Sequence, residues 1–198
     1  MKHTVITIGR QNGSGGREIG EKLAKVLNIP FYDKLLLQKT AEQSGFAPHF
    51  VEQNDEKKPG FFWGMGTATW PYDQPISFRL YLEQSKIITE LAQKESCVIV
   101  GRCADFVLAG NPDVFSVFIH APLEHRIERV AARENISAAK AKTLIARRDK
   151  SRAAYYNYFT DHVWGAADCC QLSIDSSMLG VDGTVELLLD ILRRRNGN

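Results

Sequence analysis

The chain opens on a short apolar run, His3-Thr4-Val5-Ile6-Thr7-Ile8, that passes directly into Gly9-Arg10-Gln11-Asn12-Gly13-Ser14-Gly15-Gly16-Arg17-Glu18-Ile19-Gly20. A helical pattern follows at once in Glu21-Lys22-Leu23-Ala24-Lys25-Val26-Leu27. Strand, glycine-rich turn and helix together form the unit that turns backbone N–H groups and a helix N-terminus toward a phosphate. Glycines suit such a turn because inward-pointing amides need positive φ values and close ligand approach, which a Cβ obstructs. The stretch departs from the usual phosphate-binding loop in one place. That loop ends in Gly-Lys-Ser/Thr, and this one ends in Gly15-Gly16-Arg17, without the lysine for the terminal phosphates or the hydroxyl for magnesium.

Further β-branched runs, Cys97-Val98-Ile99-Val100 and Val114-Phe115-Ser116-Val117-Phe118-Ile119, recur at intervals filled by helical patterns, and Leu172-Ser173-Ile174 reads as a last, shorter strand. Short continuous apolar runs suit strands buried on both faces, so the expected fold is an α/β three-layer domain with a parallel sheet between helices. At 198 residues and 44% hydrophobic content the chain supports one domain with a sizeable core. Two regions break the rhythm. From about Gly45 to Pro75 the chain is rich in Gly, Pro and aromatics (Phe61, Phe62, Trp63, Trp70, Tyr72) without periodicity, and reads as an insertion or flap. From Ser137 to Phe159 it is amphipathic and basic, with Ser137 placed to cap a helix.

Charge is concentrated in that second region. Between Arg126 and Arg152 stand nine Lys/Arg against three acids, a local balance of +6 in a chain of net +2. A basic segment in a nearly neutral protein points to a local anionic ligand and argues against general nucleic-acid binding. The four cysteines have no CxxC or Cys/His metal spacing and read as reduced structural thiols. No metal-ligand set is expected, and the five histidines show no ligand or triad spacing. The N-terminus has no signal-peptide pattern and no apolar run nears about 20 residues, so a cytoplasmic chain without a membrane partner is expected.

The loop has a competing reading as a dinucleotide fingerprint, G-x-G-x-x-G with an acid about 20 residues on. Gly13, Gly15 and Asp33 fit, but Glu18 takes the third glycine position and would repel a pyrophosphate. A mononucleotide phosphate is the better fit, and a plain tight turn is the third option. Arg10 and Arg17 can supply the missing positive charge, and Arg17 in a first helical turn opposes the helix dipole unless an anion sits beside it. Arg102 follows Val98–Gly101 directly, beyond the C-terminal end of a strand, where an open α/β sheet has its ligand crevice. A bidentate phosphate contact and an ion pair with Asp105 or another acid are both open to it. Arg126, Arg129 and Arg133 fall at i, i+3, i+7 opposite Leu123, Ile127 and Val130, which taken alone reads as a solvated face, with a part in the basic lid also open to Arg126. Arg148 and Arg152 are i, i+4 neighbours on a helix suited to closing over a polyphosphate, with Asp149 beside them.

Together these features resemble the cytidylate kinase-like family, over nearly the whole chain. The resemblance is carried by Ile8 through Gly20, Phe31-Tyr32-Asp33-Lys34, Gly101-Arg102 and Arg148-Asp149-Lys150-Ser151-Arg152. It implies a P-loop kinase domain over residues 1–198 with an acceptor-side flap at about 45–75 and a helical lid at about 133–159. It implies ATP-dependent phosphoryl transfer to a nucleoside monophosphate, CMP or dCMP first, or to a similar small phosphate acceptor. Gly9, Arg10, Gly13, Ser14, Gly15, Gly16 and Arg17 would bind the donor, and Asp33 and Arg102 the acceptor. Arg148, Asp149, Arg152 and Arg17 would act on the transferring group. Magnesium would be held mainly by nucleotide oxygens and water. In cytidylate kinases the loop carries Lys-Ser/Thr and an Asp commonly precedes the Gly-Arg, where this chain has Gly16, Arg17 and Val100. A non-catalytic nucleotide- or phosphate-binding protein and a kinase for a non-nucleotide substrate are the alternatives, and the oligomeric state stays open.

Overall fold

Five parallel strands form one sheet in the computed structural model, which describes residues 3–45, 47–56, 75–195 and 197. They are β1 (Val5–Arg10), β2 (Phe31–Tyr32), β3 (Cys97–Val100), β4 (Val114–His120) and β5 (Leu172–Asp175), in the order β2-β3-β1-β4-β5. The central strand β1 pairs Ile6 with Val98 on one side and with Phe115 on the other. Alternation sends its side chains to two cores. Ile6 and Ile8 join Val98, Val100, Val117 and Ile119 beneath α1 (Gly16–Leu27) and α8 (Gly180–Arg195), whose Ile19, Leu23, Leu188 and Leu192 close that layer. Val5 turns the other way, with Cys97 and Ile99, toward Leu36 of α2 (Lys34–Ser44) and Ile87, Ile88 and Leu91 of α4 (Ile76–Lys94).

The expected three-layer α/β fold is therefore present, with a fifth strand the sequence reading did not contain. β2 is two residues long and pairs Phe31 with Val98 and Tyr32 with Ile99 at the sheet edge. The stretch expected to be an aperiodic flap includes a short helix, α3 (Pro48–Asn54), whose Val51 packs with Leu37, Ala41 and Leu80. The rest of that stretch, 57–74 with its five aromatics, lies outside the described residues. The basic segment folds as a helical hairpin, α6 (Leu123–Glu134) and α7 (Ala138–Thr160), zipped by Val130, Ala141 and Ile145. Ser137 caps α7, its hydroxyl accepting the Lys140 N–H. The C-terminal part of α7 is anchored, not free: Tyr155 and Tyr156 are buried beside Cys103. No helix among the described residues is long and apolar enough to cross a membrane.

What positions the site is the divergence of two neighbouring strands. From β1 the chain runs to α1 on one face; from β3 it runs to α5 (Ala104–Val107), whose Ala104 belongs to the opposite core. Adjacent strands feeding opposite faces open a crevice at their C-terminal ends. Arg10 and Gly101-Arg102 lie at its two lips.

Candidate active site

The loop between β1 and α1 is shaped to receive an anion. Gly13 and Gly15 have φ of 85° and 82°, the left-handed values that glycine adopts without strain. Gly15 is the N-cap of α1 and supplies no side chain to cap it. Among the described residues no acceptor stands on the backbone N–H groups of Gly13, Gly15, Arg17 or Glu18. Four such amides at a helix N-terminus are a ready site for phosphate oxygens. The other loop groups hold the loop's own shape. Gln11 N–H donates to Ile119 O, Ser14 N–H and Oγ–H both to Gln11 O, and Gly16 N–H weakly to Ser14 Oγ. Gly9 serves packing, since a Cβ there would meet the Phe118 ring at 2.7 Å.

The loop borders an open cleft of about 840 Å³ that continues to Asp33 and Arg102. Its lining among the described residues holds seven arginines and seven carboxylates, so the cleft is not the simple basic groove that the local charge excess suggests. Every one of the seven arginines is ion-paired. Arg10 Nη1 and Arg152 Nε share the Glu56 carboxylate at 2.9 and 3.0 Å. Arg102 Nη1 meets Asp33 at 2.7 Å, while its Nη2 and Nε take both oxygens of Asp55. Arg17 turns from the loop toward Asp33 (2.7 Å) and Glu21 (3.2 Å). Arg129 pairs with Glu18, and Arg133 and Arg148 converge on Glu134.

Arg102 is the most enclosed of these, 5% exposed, and its guanidinium also donates to Val100 O. Its ion-pair reading is realised with Asp33 and Asp55; Asp105 instead accepts the Tyr156 hydroxyl. Burial works against the Arg102 charge, but Asp55, Glu56 and Asp33 outweigh it and hold the guanidinium well above its usual range. Burial likewise raises Asp33, and Arg102, Arg17 and Arg10 more than reverse it, leaving that carboxyl below the ordinary range. The backbone here is strained: Gly101, Arg102 and Cys103 all have positive φ, 76°, 53° and 54°. For two non-glycine residues this costs free energy that a packed site must supply.

On the side of α6 and α7 the structure changes the expectation for α6. Arg126 turns inward, and Arg129, expected on a solvated face, stays more than a third exposed but leans over the loop. Arg126 is 9% exposed and donates to Asp149 Oδ2 at 2.6 Å. Arg129 stands over the phosphate loop, close enough that a Cβ on Gly15 would meet its Cζ at 3.3 Å. Asp149 accepts from Asn12 N–H through its other oxygen, at 2.7 Å, so both its oxygens face the protein's own groups. Arg148 and Arg152 reach the same cleft from α7, Arg152 as the more buried of the two. Asp55 and Glu56 were absent from the sequence reading. They sit in a segment without periodicity, and only an accounting of which acids neutralise the strand-end arginines could have drawn attention to them.

Among the described residues no group of three or more His, Cys, Asp or Glu is arranged to hold a metal ion. The Ser14 hydroxyl, within the loop, donates its proton to Gln11 O, and its oxygen accepts weakly from Gly16 N–H.

The sequence matches the model of the family described as "Cytidylate kinase-like family" over residues 5–178. It is 27% identical over 197 residues to a cytidylate kinase of Methanopyrus kandleri, covering 93% of this chain and 90% of that protein. To a cytidylate kinase of Ignicoccus hospitalis it is 25% identical, covering 96% and 99%. Among solved structures, an uncharacterised protein from Eubacterium ventriosum superposes with a TM-score of 0.74 at 28% identity, covering 95% of this chain and 97% of that one. Shikimate kinase from Bacteroides thetaiotaomicron shares the fold at a TM-score of 0.57 and 15% identity, covering 96% and 98%.

Proposed function

The chain belongs to the cytidylate kinase-like family, and on that premise we propose that it transfers the γ-phosphoryl group of ATP to a nucleoside monophosphate, with CMP or dCMP as acceptor. One observation carries the reading: the four loop amides without an acceptor among the described residues and the Asp33–Arg102 pair open onto a single cleft, the arrangement that facing donor and acceptor sites need. In-line transfer depends on such positioning and on neutralising charge over the transferring group.

The amides of Gly13, Gly15, Arg17 and Glu18 bind the donor's terminal phosphates, with Arg129 and Arg133 along the same wall. Arg148 and Arg152 exchange Glu134 and Glu56 for phosphate oxygens as the nucleotide binds. Arg102 takes the acceptor's phosphate after Asp55 yields one or both of its positions, and Asp33 orients the acceptor's edge. The Arg17 side chain, held by Asp33 and Glu21, belongs in this reading to the acceptor side. Magnesium, carried on nucleotide oxygens and water, would neutralise charge on the donor phosphates. Asp149 fixes Arg126 and the loop backbone.

The test is ADP release from ATP and magnesium with CMP, dCMP, UMP and AMP in parallel, against a no-acceptor blank. Turnover above the blank is expected with CMP or dCMP. If every acceptor fails while ATP binds, the non-catalytic reading takes over, which the Gly16-Arg17 replacement of lysine and hydroxyl favours.

A further inference from the structure

Residues 10–17 lie in register with the eight-position phosphate-loop motif, Gly-x-x-x-x-Gly-Lys-Ser/Thr. In that register Arg10 stands where the motif has its first glycine and Gly16 where it has its lysine. The two positions touch. A Cβ built on Gly16 would lie 2.6 Å from Arg10 Cβ and 3.4 Å from its Cγ. The first of these is a separation that real Cβ atoms essentially never show, and neither backbone-rooted atom is the far end of a flexible chain. With the backbone as it stands, a side chain on both residues forces one of them to shift.

We propose that these positions have exchanged roles: Arg10 supplies from the end of β1 the phosphate-binding cation that a lysine supplies from the start of α1, and residue 16 is glycine because Arg10 is there. The missing lysine is then a relocated cation, an inference that rests on the phosphoryl-transfer reading above.

The path of Arg10 supports the exchange. Its Cβ lies against Gly16, and its guanidinium lies against Gly101, where any Cβ would collide with Nη1. The side chain thus crosses the crevice from the donor loop to the lip that carries Arg102. Its Nη1 is held by Glu56, the carboxylate that also holds Arg152. An incoming phosphate oxygen can take the place of that carboxylate on both arginines, and the planar fork of Arg10 can bridge two oxygens where a lysine offers a point charge.

Two sets of variants test this. Gly16 has no positive φ, so an alanine there would ordinarily be tolerated or mildly stabilising. Gly16→Ala is expected to lower Tm by roughly 5 °C in the natural chain through overpacking. In an Arg10→Gly background it should cost little, Ile119 Cβ at 3.1 Å being the remaining close neighbour. An equal penalty in both backgrounds overturns the steric half of the proposal. For the cation, calorimetric ATP binding with magnesium is compared among Arg10→Met, Arg10→Lys, Gly16→Lys and Arg10→Gly/Gly16→Lys. Arg10→Met keeps the Cβ and is expected to weaken ATP about tenfold or more, the worth of a charged hydrogen bond. Arg10→Lys should recover part of that loss, and the double variant should bind better than Gly16→Lys alone. If Arg10→Met binds ATP as the natural protein does, Arg10 is not the phosphate cation, although the kinase reading survives. If the natural protein itself binds no ATP, the donor site and Arg10's role fall together.

Discussion

Asp149, in the middle of α7, accepts the backbone N–H of Asn12 at 2.7 Å, so the helix bearing Arg148 and Arg152 is hydrogen-bonded directly to the glycine loop. Its second oxygen takes Arg126 Nη1 at 2.6 Å, with both side chains largely buried. Loop, α6 and α7 are therefore tied at one point. If α6 and α7 close over the cleft as proposed, movement that keeps this bond arises toward the tip of the hairpin, between Glu134 and Ser137.

Removing the tie should show first as lost stability. Asp149→Ala leaves Arg126 enclosed without its counter-charge, a change that costs about 2–3 kcal/mol for a pair with slight solvent access. At about 2–4 °C per kcal/mol for a chain of this size, Tm is expected to fall by roughly 5–10 °C. Arg126→Met with Asp149→Asn removes both charges, keeps an acceptor for Asn12, and should lose less than Asp149→Ala alone. Circular-dichroism melting reads both. A loss confined to kcat, with unchanged melting, would instead make Asp149 one of the reacting groups.

The elements that carried the sequence reading were those whose signal is local. β1, its glycine loop and α1 are contiguous, and β3, β4 and the Ser137 cap follow from runs or single residues. β2 escaped because two residues show no period. The buried place of Arg126 escaped for another reason: it sits at a spacing that suits a solvated stripe, and nothing local says that α7 and the loop cover it. The acids of the cleft were the least legible. Glu56 meets Arg10 across 46 residues and Arg152 across 96, and Asp55 meets Arg102 across 47. Pairings at such separations belong to the topology, not to any window of sequence.

Arg129 belongs with the donor site on this geometry, since its guanidinium lies over Gly15 and lines the cleft. Arg129→Ala is expected to raise the Kd for ATP about tenfold through loss of one charge-assisted contact. Arg147, which faces a separate groove beside Ile136 and Leu144, is the control. Equal affinities for Arg129→Ala and the natural protein would return Arg129 to the surface.

Arg148 and Arg152 are expected to act mainly as charge builds on the transferring group. Alanine at either should lower kcat far more than it raises the KM for ATP, with losses of roughly 10³-fold in kcat. Steady-state kinetics with CMP as acceptor decide the matter. A rise in KM with kcat intact would make them ground-state binding groups only.

Acid should loosen the cleft through Glu56. Burial alone would raise this carboxyl, but Arg10, Arg152 and Arg102 pull it far below the ordinary carboxylate range. A folded pKa below the unfolded one makes a contribution that is fully present above the unfolded value, roughly pH 4.3 for glutamate. That contribution is lost as pH falls from there toward the folded value. Asp33, also depressed, acts in the same direction. Tm should therefore hold between pH 7 and 5 and decline steeply below about pH 4.3. Glu56→Gln should start lower at pH 7, because Arg10 and Arg152 lose a shared counter-charge, and then decline less steeply in acid. Glu134→Gln is the comparison: its carboxylate also pairs with two arginines, but near the surface, where such pairs contribute little. Melting curves from pH 7 to 3 for the three proteins decide it, and a Glu56→Gln curve parallel to the natural one would remove Glu56 as the source of the acid sensitivity.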